Sequence, residues 1–410
     1  MLYMVKKEIN NNLITAYALK NALEHSGKAR EGSVLSSLFN EGLDKKDIKK
    51  VMPGIKKVVS RINKLKLDKQ EQEYKKYEEE VSHRKIKKEG EIPELPNVDK
   101  KKGVIMRFAP APSGALHVGH LISNIISSLY VKKYGGKFYV RIEDTNPDSI
   151  YENAYKEIIE DCDWAFGNVA EYIIQSDRLK IYYKYIEKLI KLGKAYVCIC
   201  DQEDFRKLVS KKKSCLCRHQ DVKENMRMWK KMLDKKGYGP GEAVVRFKSN
   251  IEDPNPAMRD FPLARINTHN HPRQKKKFRV WPLMNLCVTV DDLEYGMTHI
   301  IRGKDHMDNA ARQKMIYIAL GKEKQYPWVY FMGRVKFSDL ALSKRKIKAA
   351  IEAGEYEGFD DIRLPTIQAL RKRGYKPEAF WKFAAHRGLT DVDKVMTQKD
   401  FFEDLDKFNK

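Results

Sequence analysis

Apolar positions recur at helical spacing through the first hundred residues and never alternate there as a strand requires. Residues 9–23 set Leu13, Tyr17, Ala18, Leu19 and Leu23 near helical spacing, and residues 34–43 and 48–62 continue the pattern. Residues 64–88 are almost wholly charged and predict a protruding helix or a partly disordered linker. Glu91-Ile-Pro-Glu-Leu-Pro96 reads as extended punctuation, and a domain boundary is placed there. From Val104 the chain alternates between strand and helix. The prediction is a strand over 104–108, a Gly/Pro-rich turn, a helix to Lys133, a Gly135-Gly136 turn, a strand over 137–142, and helices over 153–164 and 178–192. Such a series is an α/β fold with a parallel sheet. Around Ala195 the texture shifts. Residues 195–280 read as an insertion: a strand at 196–200, a cysteine-bearing ribbon, a helix at 222–233, a β-rich stretch at 243–248, and mostly loop over 250–277. The sheet is expected to resume over 280–290, followed by a strand at 298–302, a helix at 309–320 and a strand at 329–331. After a basic loop at 343–348 come helices at 366–373, 377–386 and 399–408.

With 410 residues, several separate cores are possible. The net charge of +24 changes the picture most. Runs such as Lys211-Lys-Lys213 and Lys275-Lys-Lys277 are spread over several regions among aromatics, which favours a polyanionic partner of nucleic-acid type. A lysine-rich proteome is the bland alternative. No secretory signal or membrane-length apolar run is read, so the expected place is the reducing cytoplasm.

Two clusters carry candidate chemistry. Pro110-Ala-Pro-Ser-Gly-Ala-Leu-His-Val-Gly-His120 sets His117 and His120 about one turn apart at a helix start. A helix N-terminus offers unpaired N–H groups and a positive dipole end, so it holds phosphate well. Imidazoles there can donate to a phosphoryl group as charge builds on it. Leu342-Ser-Lys-Arg-Lys346 is a cationic segment able to reach the same phosphates. Either alone is commonly structural or merely solvated; together they describe nucleotidyl transfer from ATP without a P-loop, whose pattern is absent. Arg107 and Arg302 end two separate strands and suggest clamps for a carboxylate, the alternative being surface ion pairs. Glu143 and Asp144 suit an α-ammonium or a ribose, or else a helix cap. Trp281 and Asn285 are candidate pocket residues, with core packing an equal account of Trp281. Cys198, Cys200, Cys215 and Cys217 have the donor set for a structural Zn²⁺ on a small ribbon, with His219 nearby as a substitute ligand.

These residues resemble the class I aminoacyl-tRNA synthetases, and within them the glutamyl/glutaminyl branch. Arg107-Phe-Ala-Pro-Ala-Pro-Ser-Gly-Ala-Leu-His-Val-Gly-His120, Arg141-Ile-Glu-Asp-Thr145, Gln175-Ser-Asp-Arg178 and Ala341-Leu-Ser-Lys-Arg-Lys346 occur in that branch's order. Asp253-Pro-Asn-Pro-Ala-Met-Arg-Asp260, Val290-Asp-Asp292 and Arg302-Gly-Lys-Asp-His306 are similar to the archaeal glutamyl type, as is the N-terminal segment 17–28. The resemblance implies a Rossmann-like catalytic domain in two halves, 101–194 and 281–335. An acceptor-stem-binding insertion at 195–280 would divide them. A helical domain with its charged linker at 1–100 would precede them, and the cationic loop with a stem-contact segment at 336–410 would follow. It implies activation of glutamate by ATP with Mg²⁺, then transfer to the 2′-OH of the terminal adenosine of tRNA. His117 and His120 would stabilise the α-phosphate. Lys344 and Lys346 would neutralise pyrophosphate. Pro110, Gly119 and Ser343 would line the ATP site, and Arg107, Glu143, Asn285 and Arg302 the amino-acid site. Ala111 and Trp281 depart from the branch's usual polar residue and tyrosine. The branch continues into an anticodon-binding β-barrel where this sequence stops, so the expectation is a fragment, a short form, or a split-chain partner that reads the anticodon. Rival readings are a non-catalytic RNA-binding paralogue, a short enzyme glutamylating an unusual acceptor, and a small-molecule nucleotidyltransferase.

Overall fold

The computed structural model describes residues 9–77, 80–81, 92–339 and 344–410, without the side chains of Asn40, Lys45 and residues 344–346. The chain divides into two compact units, Met1–Lys88 and Glu89–Lys410.

The first unit is helical: α1 (Asn11–Glu24), α2 (Glu31–Asn40), α3 (Ile48–Ile62) and α4 (Leu67–Tyr74). The Asn10 side chain accepts from the Leu13 N–H at 2.9 Å and caps α1. Leu13, Leu19, Val34, Leu38, Ile55 and Ile62 meet in one core. The charged stretch from 64 is partly docked, contrary to the protruding helix expected. Gln70 on α4 is fully buried and donates to the carbonyls of Gly27 (3.0 Å) and Ile62 (2.9 Å). This polar anchor is tolerated because its amide finds acceptors inside, and Tyr74, Tyr77 and Val81 add apolar contacts to the same core. Residues 78–79 and 82–91 of that stretch lie outside the described residues.

In the second unit β1 (Val104–Phe108), α5 (Val118–Tyr134), β2 (Gly136–Ile142), α6 (Ala154–Phe166), β3 (Val169–Ile174) and α7 (Leu179–Lys191) open the fold. β1, β2 and β3 pair in parallel in that order. The turn into β2 requires glycine: a Cβ on Gly136 would lie 2.1 Å from the Val104 carbonyl oxygen. β3 escapes the sequence reading, because one face of it is solvated and its apolar signal is short.

The insertion contains β4 (Ala195–Cys198), α8 (Gln202–Ser210), α9 (Val222–Leu233), β5 (Val244–Phe247), β6 (Pro262–Ile266) and β7 (Val280–Pro282), its strands forming one antiparallel sheet in order. β6 falls inside the stretch expected to be loop. α10 (Met284–Glu294) corrects a larger reading: the apolar run after β7 is a helix, not a strand. Asn285 through Asp292 are all buried, so the helix has no polar face and its period is invisible. β8 (His299–Gly303), α11 (Met307–Ala319) and β9 (Trp328–Met332) then return to the parallel layer. Thr298 joins the two parallel sheets, its Oγ1 accepting from Ile105 N–H at 2.9 Å and its N–H donating to Ile105 O at 3.0 Å. The spatial order is therefore β3-β2-β1-β8-β9, with the reversal between β1 and β8.

The chain closes with β10 (Val335–Phe337), α12 (Lys344–Glu352), α13 (Ile367–Lys372), α14 (Pro377–Arg387), β11 (Lys394–Met396) and α15 (Gln398–Asp406). The basic segment expected as loop at 343–348 is helical from Lys344 onward. Phe380, Phe383 and Phe401 from these helices share a core with Ile125, Phe138 and Phe166 of the parallel layer.

Candidate active site

Open α/β sheets bind ligands beyond the carboxyl ends of their strands, where the strand order reverses. A cavity of about 880 Å³ lies there. Its walls come from the end of β1 and the turn after it (Arg107, Pro110), the start of α5 (His117, Gly119, His120), the end of β2 (Glu143), β8 and its turn (Arg302, His306), and the β9–β10 link with β10 (Arg334, Lys336).

The histidine turn is pinned by remote backbone. Val118 N–H donates to Pro365 O (3.1 Å), and Ile367 N–H to Leu116 O (3.0 Å). His117 caps α5, its Nδ1 accepting from Gly119 N–H at 3.2 Å. His120 Nδ1 accepts from the His117 N–H at 3.2 Å, and the two rings lie 3.9 Å apart. An accepting Nδ1 carries no proton, so each ring holds its proton on Nε2. Both histidines are thus set as Nε2–H donors at a helix N-terminus.

Behind them is a buried charge network. Asp292, on the last turn of α10, accepts from Arg107 Nε (2.6 Å) and Nη2 (3.0 Å) and from Arg141 Nη1 (2.6 Å). Burial alone would raise the Asp292 carboxyl, but Arg107 and Arg141 outweigh it and hold it at about 2. Asp291 accepts from Gln175 (2.9 Å), Arg178 (2.8 Å) and Tyr182. Glu143 accepts from Arg141 at 3.0 Å.

Arg302 differs from its neighbours. Its Nη1 donates to Gln313 Oε1 at 2.8 Å, and its Nε is buried without a hydrogen-bond partner. Gln313 in turn reaches Asn285 Oδ1 at 3.4 Å. Burial, with repulsion from Arg107, lowers the Arg302 pKa to about 10. Among the described residues no carboxylate pairs with it. His306, in the same wall, is likewise lowered by burial and by Arg302.

The structure gathers Arg107, Pro110, His117, Gly119, His120, Glu143 and Arg302 on one cavity. Asn285 stands one step behind, through Gln313. Arg107 lines the cavity while the fork of its guanidinium holds Asp292, so the carboxylate it clamps is internal. Asp144 is buried within the fold, accepting from Tyr155 OH (2.7 Å) and Ser176 N–H (2.7 Å), and takes no place in the cavity. Trp281 is fully buried, stacked on His271, and donates to Asn267 O at 3.1 Å, so it is a core residue. Ser343 lies outside the described residues, and Lys344 and Lys346 are placed by backbone alone at the start of α12. Arg334, Lys336 and Arg387 also line the cavity. No local pattern marks them in the sequence; only the return of the chain after β9 and the end of α14 brings them there.

The four cysteines converge as well. Their Sγ atoms all lie within 4.8 Å of one another, with Cys198–Cys215 at 3.9 Å and Cys200–Cys217 at 3.7 Å. They come from the end of β4 and from a short 3₁₀ turn at Leu216–His219, with α8 between them, rather than from two strands of a ribbon. His219 bonds Ser214 Oγ at 2.9 Å and stands outside the cluster.

Residues 103–409 match the family described as tRNA synthetases class I (E and Q), catalytic domain. The chain belongs to this family. It is 43% identical over 391 residues to the glutamate–tRNA ligase of Methanocaldococcus jannaschii, spanning 95% of this chain and 69% of that protein. It is 42% identical over 396 residues to the glutamate–tRNA ligase of Pyrococcus furiosus, spanning 94% and 68%. In fold it is similar to a glutamate tRNA ligase from Elizabethkingia meningosepticum solved in complex with its amino acid. That likeness has a TM-score of 0.54 at 20% identity and covers 75% of this chain and 69% of the other.

Proposed function

We propose that the chain is a glutamate–tRNA ligase. One observation carries the substrate assignment: the His117/His120 helix start and Arg302, which has no ion pair among the described residues, line the same cavity at the strand-order reversal. A buried cation lacking a carboxylate partner favours an anionic ligand, and Arg302 is our choice for a glutamate carboxylate. Glutamate's α-carboxylate oxygen attacks the α-phosphorus of ATP, the bond to the β-phosphate oxygen breaks, and pyrophosphate leaves. The Nε2–H groups of His117 and His120 meet charge building on the α-phosphate, while Pro110 and Gly119 shape the nucleotide side of the cavity. Ser343, Lys344 and Lys346 are assigned to the departing phosphates on the chemistry of their side chains. The 2′-OH of the terminal adenosine of tRNA then attacks the acyl carbon and AMP departs. Mg²⁺ is expected on phosphate oxygens. The cavity carboxylates Glu143 and Asp305 are already paired with Arg141 (3.0 Å) and Arg334 (2.7 Å).

The insertion is our candidate for the acceptor stem. A second cavity of about 970 Å³ on its sheet is lined by Arg206, Arg246, Arg259, Arg265 and Arg312. Beside it, the cysteine sulfurs suit Zn²⁺. Bonds of about 2.3 Å in a tetrahedron need sulfurs roughly 3.8 Å apart, close to the 3.9 and 3.7 Å found. Cys198, Cys200, Cys215 and Cys217 would hold it, and it would supply cross-linking rather than chemistry. Metal analysis of the purified protein should find about one zinc per chain, lost on Cys215→Ser with a lower Tm. A metal-free parent of equal Tm would refute it.

Acylation of total tRNA with labelled glutamate and with labelled glutamine tests the function. Charging with glutamate is expected. No charging, together with no glutamate-dependent ATP–pyrophosphate exchange in the presence of tRNA, would sink the assignment.

A further inference from the structure

α3 buries Ile55, Val59 and Ile62 and turns a largely cationic face outward, with only uncharged Pro53 and Ser60 exposed among the cations. Lys49, Lys50, Lys56, Lys57 and Arg61 are exposed, as is Lys64 just past the helix end. At helical spacing these six fall within an arc of roughly 140° opposite Ile55, and the fifteen residues of α3 include no acidic side chain. Lys50 is paired with Asp47 (3.0 Å) and Arg61 with Glu73 (2.9 Å). Lys49, Lys56, Lys57 and Lys64 have no ion-pair partner among the described residues. A merely solvated face does not need such segregation; α4 mixes Asp68, Glu71 and Glu73 with Lys69. Like charges stacked along one helix face oppose its formation, and a polyanion laid along it would relieve that repulsion.

We propose that this face of α3 binds an RNA backbone, the tRNA that the ligase charges, by sequence-independent phosphate contacts. The stripe runs about 22 Å, the length of fifteen helical residues. Its cations are chiefly lysines, point charges suited to phosphates rather than to bidentate recognition. A membrane surface fits poorly, because the helix's apolar side is already in the core and nothing remains to insert. An acidic protein fits poorly as well, since the exposed face carries no aromatic residue and Pro53 as its one apolar residue. The proposal rests on the ligase reading only for which RNA is bound.

The test uses the full chain and the quadruple variant Lys49→Gln, Lys56→Gln, Lys57→Gln, Lys64→Gln. Binding of a transcribed glutamate-accepting tRNA is measured without ATP or glutamate, between about 50 and 200 mM salt. We expect Kd to rise roughly tenfold or more at the low-salt end, and the log–log salt slope to fall by roughly 3 to 4. The matching Lys→Arg variant should bind like the parent, and exchange activity at saturating tRNA should be retained in both. A glutamine variant with the parent's Kd and slope overturns the proposal, as does parent protein that binds phosphatidylserine vesicles in preference to tRNA. A parent that binds tRNA but charges none would count against the ligase assignment alone.

Discussion

His117 and His120 show how one residue type can cap a helix and be proposed for ligand chemistry together. Each gives Nδ1 to the first turn of α5, and each lines the cavity. His120→Ala should therefore lower kcat about 10²-fold or more while the KM for glutamate changes little. It should also cost about 1 kcal/mol of stability through the lost cap. Steady-state kinetics and denaturant unfolding check both, and an unchanged kcat would remove His120 from the chemistry. Arg302→Lys keeps the charge and loses the planar fork. The KM for glutamate should rise about 10- to 100-fold, read in the same assay; a change in kcat alone would place Arg302 elsewhere. The histidine turn was legible in the sequence because cap, turn and helix are contiguous. That Arg107 is held by Asp292 was not, since the two are 185 residues apart and nothing local pairs them.

α10 decides the site at the scale of the element. Its apolar run looks like a strand, yet as a helix it delivers Asp291 and Asp292 side by side into a nest of arginines. Asp292→Asn would leave Arg107 and Arg141 facing an uncharged group. Removing one partner of a buried pair costs about 3–5 kcal/mol, measurable by denaturant unfolding, and a loss under about 1 kcal/mol would refute the network's role. The cysteine cluster makes a similar point. The donor set was legible from spacing, but the 3₁₀ turn and the intervening α8 were not, because the strand-and-ribbon reading assumed a hairpin.

Across the whole molecule, the C-terminal helices and the parallel layer share one core, and a buried acid lies at their boundary. Asp161 on α6 is fully buried, neither carboxyl oxygen has a hydrogen bond, and Arg371 of α13 stands 3.6 Å away. Burial raises its pKa to about 7, with Arg371 offsetting part of the shift. The folded state thus holds a proton that the unfolded chain releases near pH 4. The sign follows: stability falls as pH rises from about 4 through about 7. Asp161→Asn should remove that slope, gaining on the order of 2–4 kcal/mol relative to the parent at pH 8 compared with pH 4. Equal differences at both pH values in denaturant unfolding would exclude it. Among the described residues no helix is long and apolar enough to cross a membrane, and the +24 charge is spread over both units. The sequence by itself determined what is local: the helical first unit, the α/β alternation, the capped histidine turn, the cysteine donor set and the basic character. These depend on neighbours within a few turns of chain. Tertiary structure alone decided that α10 is a helix, that β8 lies against β1 to make the reversal, and that among the described residues Arg302 has no ion-pair partner. Those outcomes depend on which distant surfaces exclude water from one another, and no period along the chain records that.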